Sequence, residues 1–332
     1  MAAELAIAEI ADDADWDRRV WARPRANIYC ATPWGSYKAR RGLTVRRAVV
    51  TTDGEELAFV QWQERRKGPV RFVHVQGGPL LTGAGERRAE AVFRSFVAHL
   101  DLGRLDLLAI DYEGFESQDA TLALLMLGFA PVVQARDHTF ELDLGQDLET
   151  IRAAMEPRWR KPLNKAERNA DLTTHFLEER TERLAAFDDF TVMYARLRQR
   201  KGFATTLQTD AYREVAASDP RVLILDVREK GERVLVRIAH LSAERCTDFY
   251  TASNDRARAT SAASLAVWRL VERAKAEACH VFDFGGIDPA SNRAVFDFKR
   301  GLGATVVQHD PLWIYAKSPA VQKAAGLLLS LR

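Results

Sequence analysis

The chain has 332 residues, 47% of them hydrophobic and 28% charged, which describes a water-soluble globular composition and leaves room for two domains. Its net charge of +2 announces no nucleic-acid binder, and no apolar run approaches the roughly 20 residues that span a bilayer. Cys30, Cys246 and Cys279 stand far apart without CxxC spacing, and the acidic start "MAAELAIAEIADDADWD" has no basic leader, so the expected setting is the cytoplasm and no disulfide framework.

In chain order, residues 45–76 read as three strands, "VRRAVVTT", "ELAFVQWQE" and "VRFVHVQ", joined by the glycine-bearing turns "DGE" and "RRKGP". The helix "ERRAEAVFRSFVAHL" follows, with Ala91, Phe93, Phe96, Val97 and Leu100 on one face. Then come the strand "LDLLAIDY" and the helix "SQDATLALLMLGF". Residues 140–179 read as a strand, two helices broken near Pro157 and Pro162, and another strand.

The second half repeats the order of the first. "RVLILDVRE", "RVLVRIAHL" and "CTDFYTAS" form a meander with turns "KGE" and "SAER", followed by the helix "SAASLAVWRLVERAKAEA". The strand "HVFDFGG", the helix "SNRAVFDFKRGLG" and a closing strand "TVVQHDPLWIYA" complete it, and "SPAVQKAAGLLLSLR" reads as a helix packing back on the body. The expected organisation is an N-terminal domain over 1–138, a C-terminal domain over 139–316 and a terminal helix over 317–332. Each domain is α+β, a mainly antiparallel mixed sheet flanked by helices.

Two such units in one chain resemble the Fem family, tandem Gcn5-related N-acetyltransferase (GNAT) folds that transfer amino acids from aminoacyl-tRNA to peptidoglycan precursors. The resemblance lies in the order and spacing of "WGSYK" (34–38), "QGGPL" (76–80), "RWRKPLNKAERNADLTTHF" (158–176), "FYTASN" (249–254) and "FDFGGID…FKRGLG" (282–303). It implies an aminoacyl-tRNA donor, an amine of a peptidoglycan precursor or related peptide as acceptor, and no cofactor or metal. One departure concerns the acceptor. Family members that use nucleotide-linked muramyl peptide carry an arginine where this chain has "KGFATTLQTDAY" (201–212), with Thr205, Thr206 and Gln208.

Lys299 follows Val295, Phe296 and Phe298 beyond a Gly285–Gly286 corner. A lysine there is a solvated helix charge or a cation stabilising the oxyanion formed as an amine attacks an ester, and the resemblance implies the second. The resemblance likewise makes Lys38 a contact for anionic acceptor groups, although a surface lysine fits the spacing as well. Asp111 ends its strand as a cap for the next helix or as the group that orients or deprotonates the acceptor amine. Tyr212 and Tyr250 match tyrosines that hydrogen-bond the acceptor, or are half-buried core rings. Arg158, Arg160, Lys161 and Lys165 are a solvated face or a set of tRNA phosphate contacts.

The seven histidines show no HxxxH or HExxH spacing, and no GxSxG, Walker A or Rossmann motif occurs. A CoA-dependent N-acyltransferase is the first alternative. Its phosphate loop needs glycines, but "RARATSAAS" (256–264) has none, and "TGAGERR" (82–88) lacks the leading Arg or Gln. A non-catalytic peptide- or nucleic-acid-binding module is the second.

Overall fold

The structure is a computed structural model that describes residues 5–23, 25–111, 117–133, 138–201, 207–290 and 292–330. It divides into two compact units, residues 1–137 with 308–332, and residues 138–307.

The first unit begins with β1 (Ala6–Glu9), α1 (Asp13–Trp21) and α2 (Thr32–Arg40). The meander β2 (Thr44–Thr52), β3 (Glu55–Lys67) and β4 (Val70–Gln76) follows, then β5 (Leu80–Leu81), α3 (Gly83–Glu86) and α4 (Ala89–His99). β6 (Leu107–Asp111), α5 (Gln118–Met126) and β7 (Ala130–Val132) end this run of the chain. The second unit holds β8 (His138–Asp143), α6 (Leu148–Ala154), α7 (Pro157–Glu167), β9 (Leu172–Phe176), α8 (Arg180–Lys201) and α9 (Thr209–Ser218). Its meander is β10 (Val222–Glu229), β11 (Glu232–Leu241) and β12 (Arg245–Ser253), followed by α10 (Asp255–Ala259), α11 (Ala262–Ala276), β13 (Val281–Gly286), α12 (Arg293–Arg300) and β14 (Thr305–Gln308). The chain closes with β15 (Leu312–Tyr315) and α13 (Pro319–Ser330), which lie in the first unit.

The two sheets have one plan. The first runs β1-β2-β3-β4-β6-β15-β7, with β5 paired to β3, and the second runs β9-β10-β11-β12-β13-β8-β14. In both, the meander is antiparallel and its third strand meets the next strand in parallel, β4 with β6 and β12 with β13. The next-to-last position is filled in the first sheet by β15 and in the second by β8, segments that chain order does not place there.

Two sequence readings are corrected. Residues 305–316 are two strands, because His309, Asp310 and Pro311 interrupt the extended run and its halves join different sheets. Pro162 does not end a helix. The break falls at Met155–Glu156, Pro157 opens α7, and Pro162 rides inside it while Trp159, Leu163 and Ala166 bury the facing stripe.

Each unit has its own core. In the first, α4 and α5 lay Val92, Phe93, Phe96, Ala123 and Leu124 on Val60, Trp62, Val75 and Leu108. In the second, α11 lays Leu265, Trp268 and Val271 on Leu225, Leu235 and Phe282. Fully burying each such large side chain contributes about 1.5–3 kcal/mol.

Candidate active site at the strand ends of each unit

In the first unit the candidate site is where β4 and β6 end together. Gln76 and Asp111 are register partners, and the Gly77 amide donates to the Asp111 carbonyl at 2.6 Å. Helix α2 is held over this end from below. Buried Gln61 of β3 donates to the carbonyls of Tyr29 and Ala31, 2.8 and 3.0 Å away. Asp17 accepts from the Thr32 amide at 2.8 Å, and Pro33 sits in the first turn. A Cβ on Gly35 would stand 2.7 Å from Gln61 Oε1 and would push aside the side chain that holds this segment.

On that helix Trp34, Lys38 and Arg41 share a face. Trp34 Nε1 donates to Gln76 Oε1 at 3.1 Å, and Lys38 Nζ lies 4.8 Å from the Trp34 ring centre and 5.7 Å from that of Tyr37. The Lys38 pKa is lowered from 10.5 to about 8, chiefly by burial, with Arg41 adding to the shift and Asp111 opposing it. The result is a half-buried ammonium over an aromatic face, with a carboxylate in its field. Asp111 is not the cap of α5, since Ser117 Oγ accepts from the Ala120 amide there.

In the second unit the parallel pair parts. β12 and β13 pair last at Thr247 and Asp283. β13, paired with β8 on its other edge from Val281 to Asp283, breaks register there and resumes at Gly286 opposite Thr139, while β12 continues along β11 with Phe249 bulged out between Asp248 and Tyr250. Lys299 reaches this opening from α12. Asn292 caps that helix, Phe296 packs on Phe140 and Phe298 on Trp159. The Lys299 Nζ donates to the carbonyls of Gly285 and Gly286, at 2.9 and 3.0 Å. Lys299 is therefore a clamp on the Gly-Gly corner as well as a cation beside it. Burial lowers its pKa, and Arg237 adds to this while Asp248 and Asp283 oppose it.

The sequence reading missed the groups around that lysine. Buried Arg237 and Asp248 form a two-pronged ion pair, with Nε to Oδ1 at 2.9 Å. Asp283, 1% exposed, accepts from the Gly285 amide at 2.8 Å and from the Thr139 hydroxyl. Gly285 has φ +68° and a Cβ on it would stand 2.9 Å from the Asp248 carbonyl oxygen. A signal existed: "FDFGG" and "CTDFY" each set an aspartate inside an apolar strand, where a lone charge needs a partner.

Tyr212 is 0% exposed, and its hydroxyl hydrogen-bonds His240 Nε2. Burial lowers the His240 pKa to about 3, so the ring is neutral. Tyr250 is half-buried, its ring 4.4 Å from that of Phe249 and 5.9 Å from that of Tyr212. Thr205 and Thr206 lie outside the described residues, and Gln208 is exposed just before α9.

The basic run is largely engaged within its own unit. Arg158 pairs with Glu156, Arg160 donates to the Ala153 carbonyl at 3.2 Å, and Lys165 donates to the Ala259 carbonyl at 3.0 Å. Lys161 is exposed.

The two glycine questions resolve differently. In "TGAGERR" a Cβ on Gly85 would fall 1.9 Å from the Leu57 carbonyl oxygen, so this glycine lets α3 pack on β3. In "RARATSAAS" Ser261 takes φ 61°, ψ 27°, the left-handed turn a glycine would favour, and no side chain caps α11.

Comparison with known proteins bears on the fold. Residues 154–300 match the acetyltransferase (GNAT) domain family. The crystal structure of FemX is 15% identical, with 97% of this chain and 100% of that one covered at a TM-score of 0.79. A conserved protein of unknown function from Bacteroides thetaiotaomicron is 10% identical, with 95% and 100% covered and a TM-score of 0.62. The C-terminal domain of a putative lysylphosphatidylglycerol synthetase from Agrobacterium fabrum is 12% identical, with 96% of each covered and a TM-score of 0.61. No curated protein matches the sequence. The class is thus the tandem GNAT-like α+β fold. Within that class the fold is similar to that of FemX across 97% of the chain.

Proposed function

We propose that the protein is an acyltransferase of the Fem kind, moving an amino acid from aminoacyl-tRNA to an amine of a peptidoglycan precursor or related peptide. One observation carries the reading. Each unit brings a partly buried lysine, Lys38 or Lys299, to the ends of its parallel strand pair. Two fixed cations suit anionic acceptor groups and a developing oxyanion.

In this reading Lys38 holds an anionic group of the acceptor, and Asp111 orients the amine or accepts its proton. The amine nitrogen attacks the ester carbonyl carbon. A C–N bond forms, the ester C–O bond breaks, and the ribose hydroxyl leaves with a proton. Lys299 faces the oxyanion or the tRNA terminus, with its third N–H left for that purpose by the two corner carbonyls. Arg237–Asp248 and Asp283 fix the corner it rests on. Tyr250 contacts the acceptor, while buried Tyr212 acts behind it through His240 and the aromatic cluster. Arg158, Arg160, Lys161 and Lys165 meet tRNA phosphates. No cofactor or metal takes part, and the setting is the cytoplasm.

The second reading, a CoA-dependent N-acyltransferase, is favoured by one feature. Ser261 takes a left-handed turn ahead of α11 in a loop that has no glycine. Calorimetric titration of muramyl-peptide precursors tests the acceptor half directly. The expected result is binding that Lys38→Met abolishes; equal binding by the variant would remove Lys38 from the site.

A further inference from the structure

Helix α13 is apolar on both sides. Its inward stripe lies on the first sheet, with Ala325 and Leu329 against Ala109, Val132 and Ile314. Gln322 donates to the Gly128 carbonyl at 2.9 Å and so ties the helix to the end of α5. Its outward stripe, Ala320, Lys323, Ala324, Leu327 and Leu328, has helical spacing, and the two leucines are 65% and 67% exposed. An open groove of about 640 Å³ runs between α13 and the edge strand β7, with Val132, Ile314 and Gly326 among its lining and Lys317 and Lys323 beside them. Near the same sheet edge, α5 exposes Leu122, Leu125 and Met126.

Charge decides what covers this surface. Residues 311–332 contain Lys317, Lys323 and Arg332 and no Asp or Glu. A second copy meeting α13 about a two-fold axis would set these cations against each other with no carboxylate in the segment to pair them. An anionic lipid surface supplies both missing partners, hydrocarbon for the leucines and phosphate for the lysines. A 12-residue helix is too short to span a bilayer, and among the described residues no helix is long and apolar enough to cross one. It suits the interface plane instead.

We propose that this face of the first unit seats on a bilayer carrying anionic lipids. Leu327 and Leu328 enter the acyl boundary, the groove accepts part of a chain, and Lys317 and Lys323 meet headgroup phosphates. The test is co-sedimentation of the full chain with vesicles of phosphatidylcholine, alone or mixed with phosphatidylglycerol. Binding is expected to the mixed vesicles only and to weaken with salt. The double variant Lys317→Glu/Lys323→Glu should weaken it by about tenfold or more, and Leu327→Ser/Leu328→Ser should do likewise. Both variants alter exposed side chains and should keep the wild-type melting temperature. Failure to sediment with mixed vesicles at low salt overturns the proposal, as does equal, salt-insensitive binding to both vesicle types. A lipid-free dimer that Leu327→Ser/Leu328→Ser converts to monomer also overturns it, by giving the face to a second copy.

Discussion

Lys38 and Lys299 are both half-buried ammonium groups, but their surroundings lead to different expectations. Lys38 lies over Trp34 with burial holding its pKa near 8. Below about pH 8 it is charged folded and unfolded, and the burial cost is present in full. Between about 8 and 10.5 the unfolded chain holds the proton and the folded chain does not, so this residue's contribution to stability rises with pH. Lys38→Met should therefore raise stability at pH 7 by about 1 kcal/mol, after allowance for solvent screening. That gain should shrink through the same window, read from denaturant midpoints across pH. Acceptor affinity should move the opposite way, falling as pH rises past 8 in the wild type and already lost in the variant. Lys299 instead ties down two carbonyls. Lys299→Ala should lower kcat by about 10² to 10³ and also cost ~1–2 kcal/mol of stability. Lys299→Arg should not restore the rate, because a planar fork does not match the two carbonyls. An alanine variant with wild-type kcat and an early melt would make Lys299 a structural clamp alone.

The elements that shape these ends depend on close packing that sequence periodicity does not reveal. "FKRGLG" read as a motif around a lysine. Its glycines serve α7 and the end of α6: a Cβ on Gly301 would stand 3.1 Å from Trp159 Cδ1, and Gly303, at φ +79°, sits against the Ala154 carbonyl. Gly303→Ala should destabilise the protein by about 1–2 kcal/mol in chemical denaturation, with little effect on tRNA affinity. Replacing Arg158, Arg160 and Lys161 with alanine should do the reverse, weakening tRNA binding and flattening its salt dependence. An unchanged slope of affinity against salt would return that helix to the role of a solvated face. Lys38 and Lys299 stood out in the sequence through the resemblance of "WGSYK" and "FKRGLG" to the family's motifs, Lys299 helped by the apolar run Val295, Phe296 and Phe298 before it. Asp248, Arg237 and Asp283 were not singled out, because a buried ion pair is a property of strand register, and the register turns on a bulge at Phe249. Nor does chain order reveal Gln76 as the partner of Trp34, 42 residues away.

For the whole molecule, the doubled order of elements was legible in the sequence because meander, helix, strand and helix each carry their own period. The assignment of β15 to the first sheet was not, since it is a short apolar strand whose partners β6 and β7 lie far back in the sequence, whereas β8 falls in the second unit as the sequence places it. The repeated plan matters for function because it yields two strand-end sites with different cations and different aromatic surroundings. In the proposed reaction the two sites serve two unlike substrates, an acceptor amine and an activated acyl donor. The most direct measurement sets the two donors side by side. Purified protein is incubated with muramyl-peptide acceptors and either radiolabelled aminoacyl-tRNA or acyl-CoA. The account predicts stable transfer from aminoacyl-tRNA, lost in Lys38→Met and Lys299→Ala, and none from acyl-CoA. Turnover of acyl-CoA with aminoacyl-tRNA inert would contradict it.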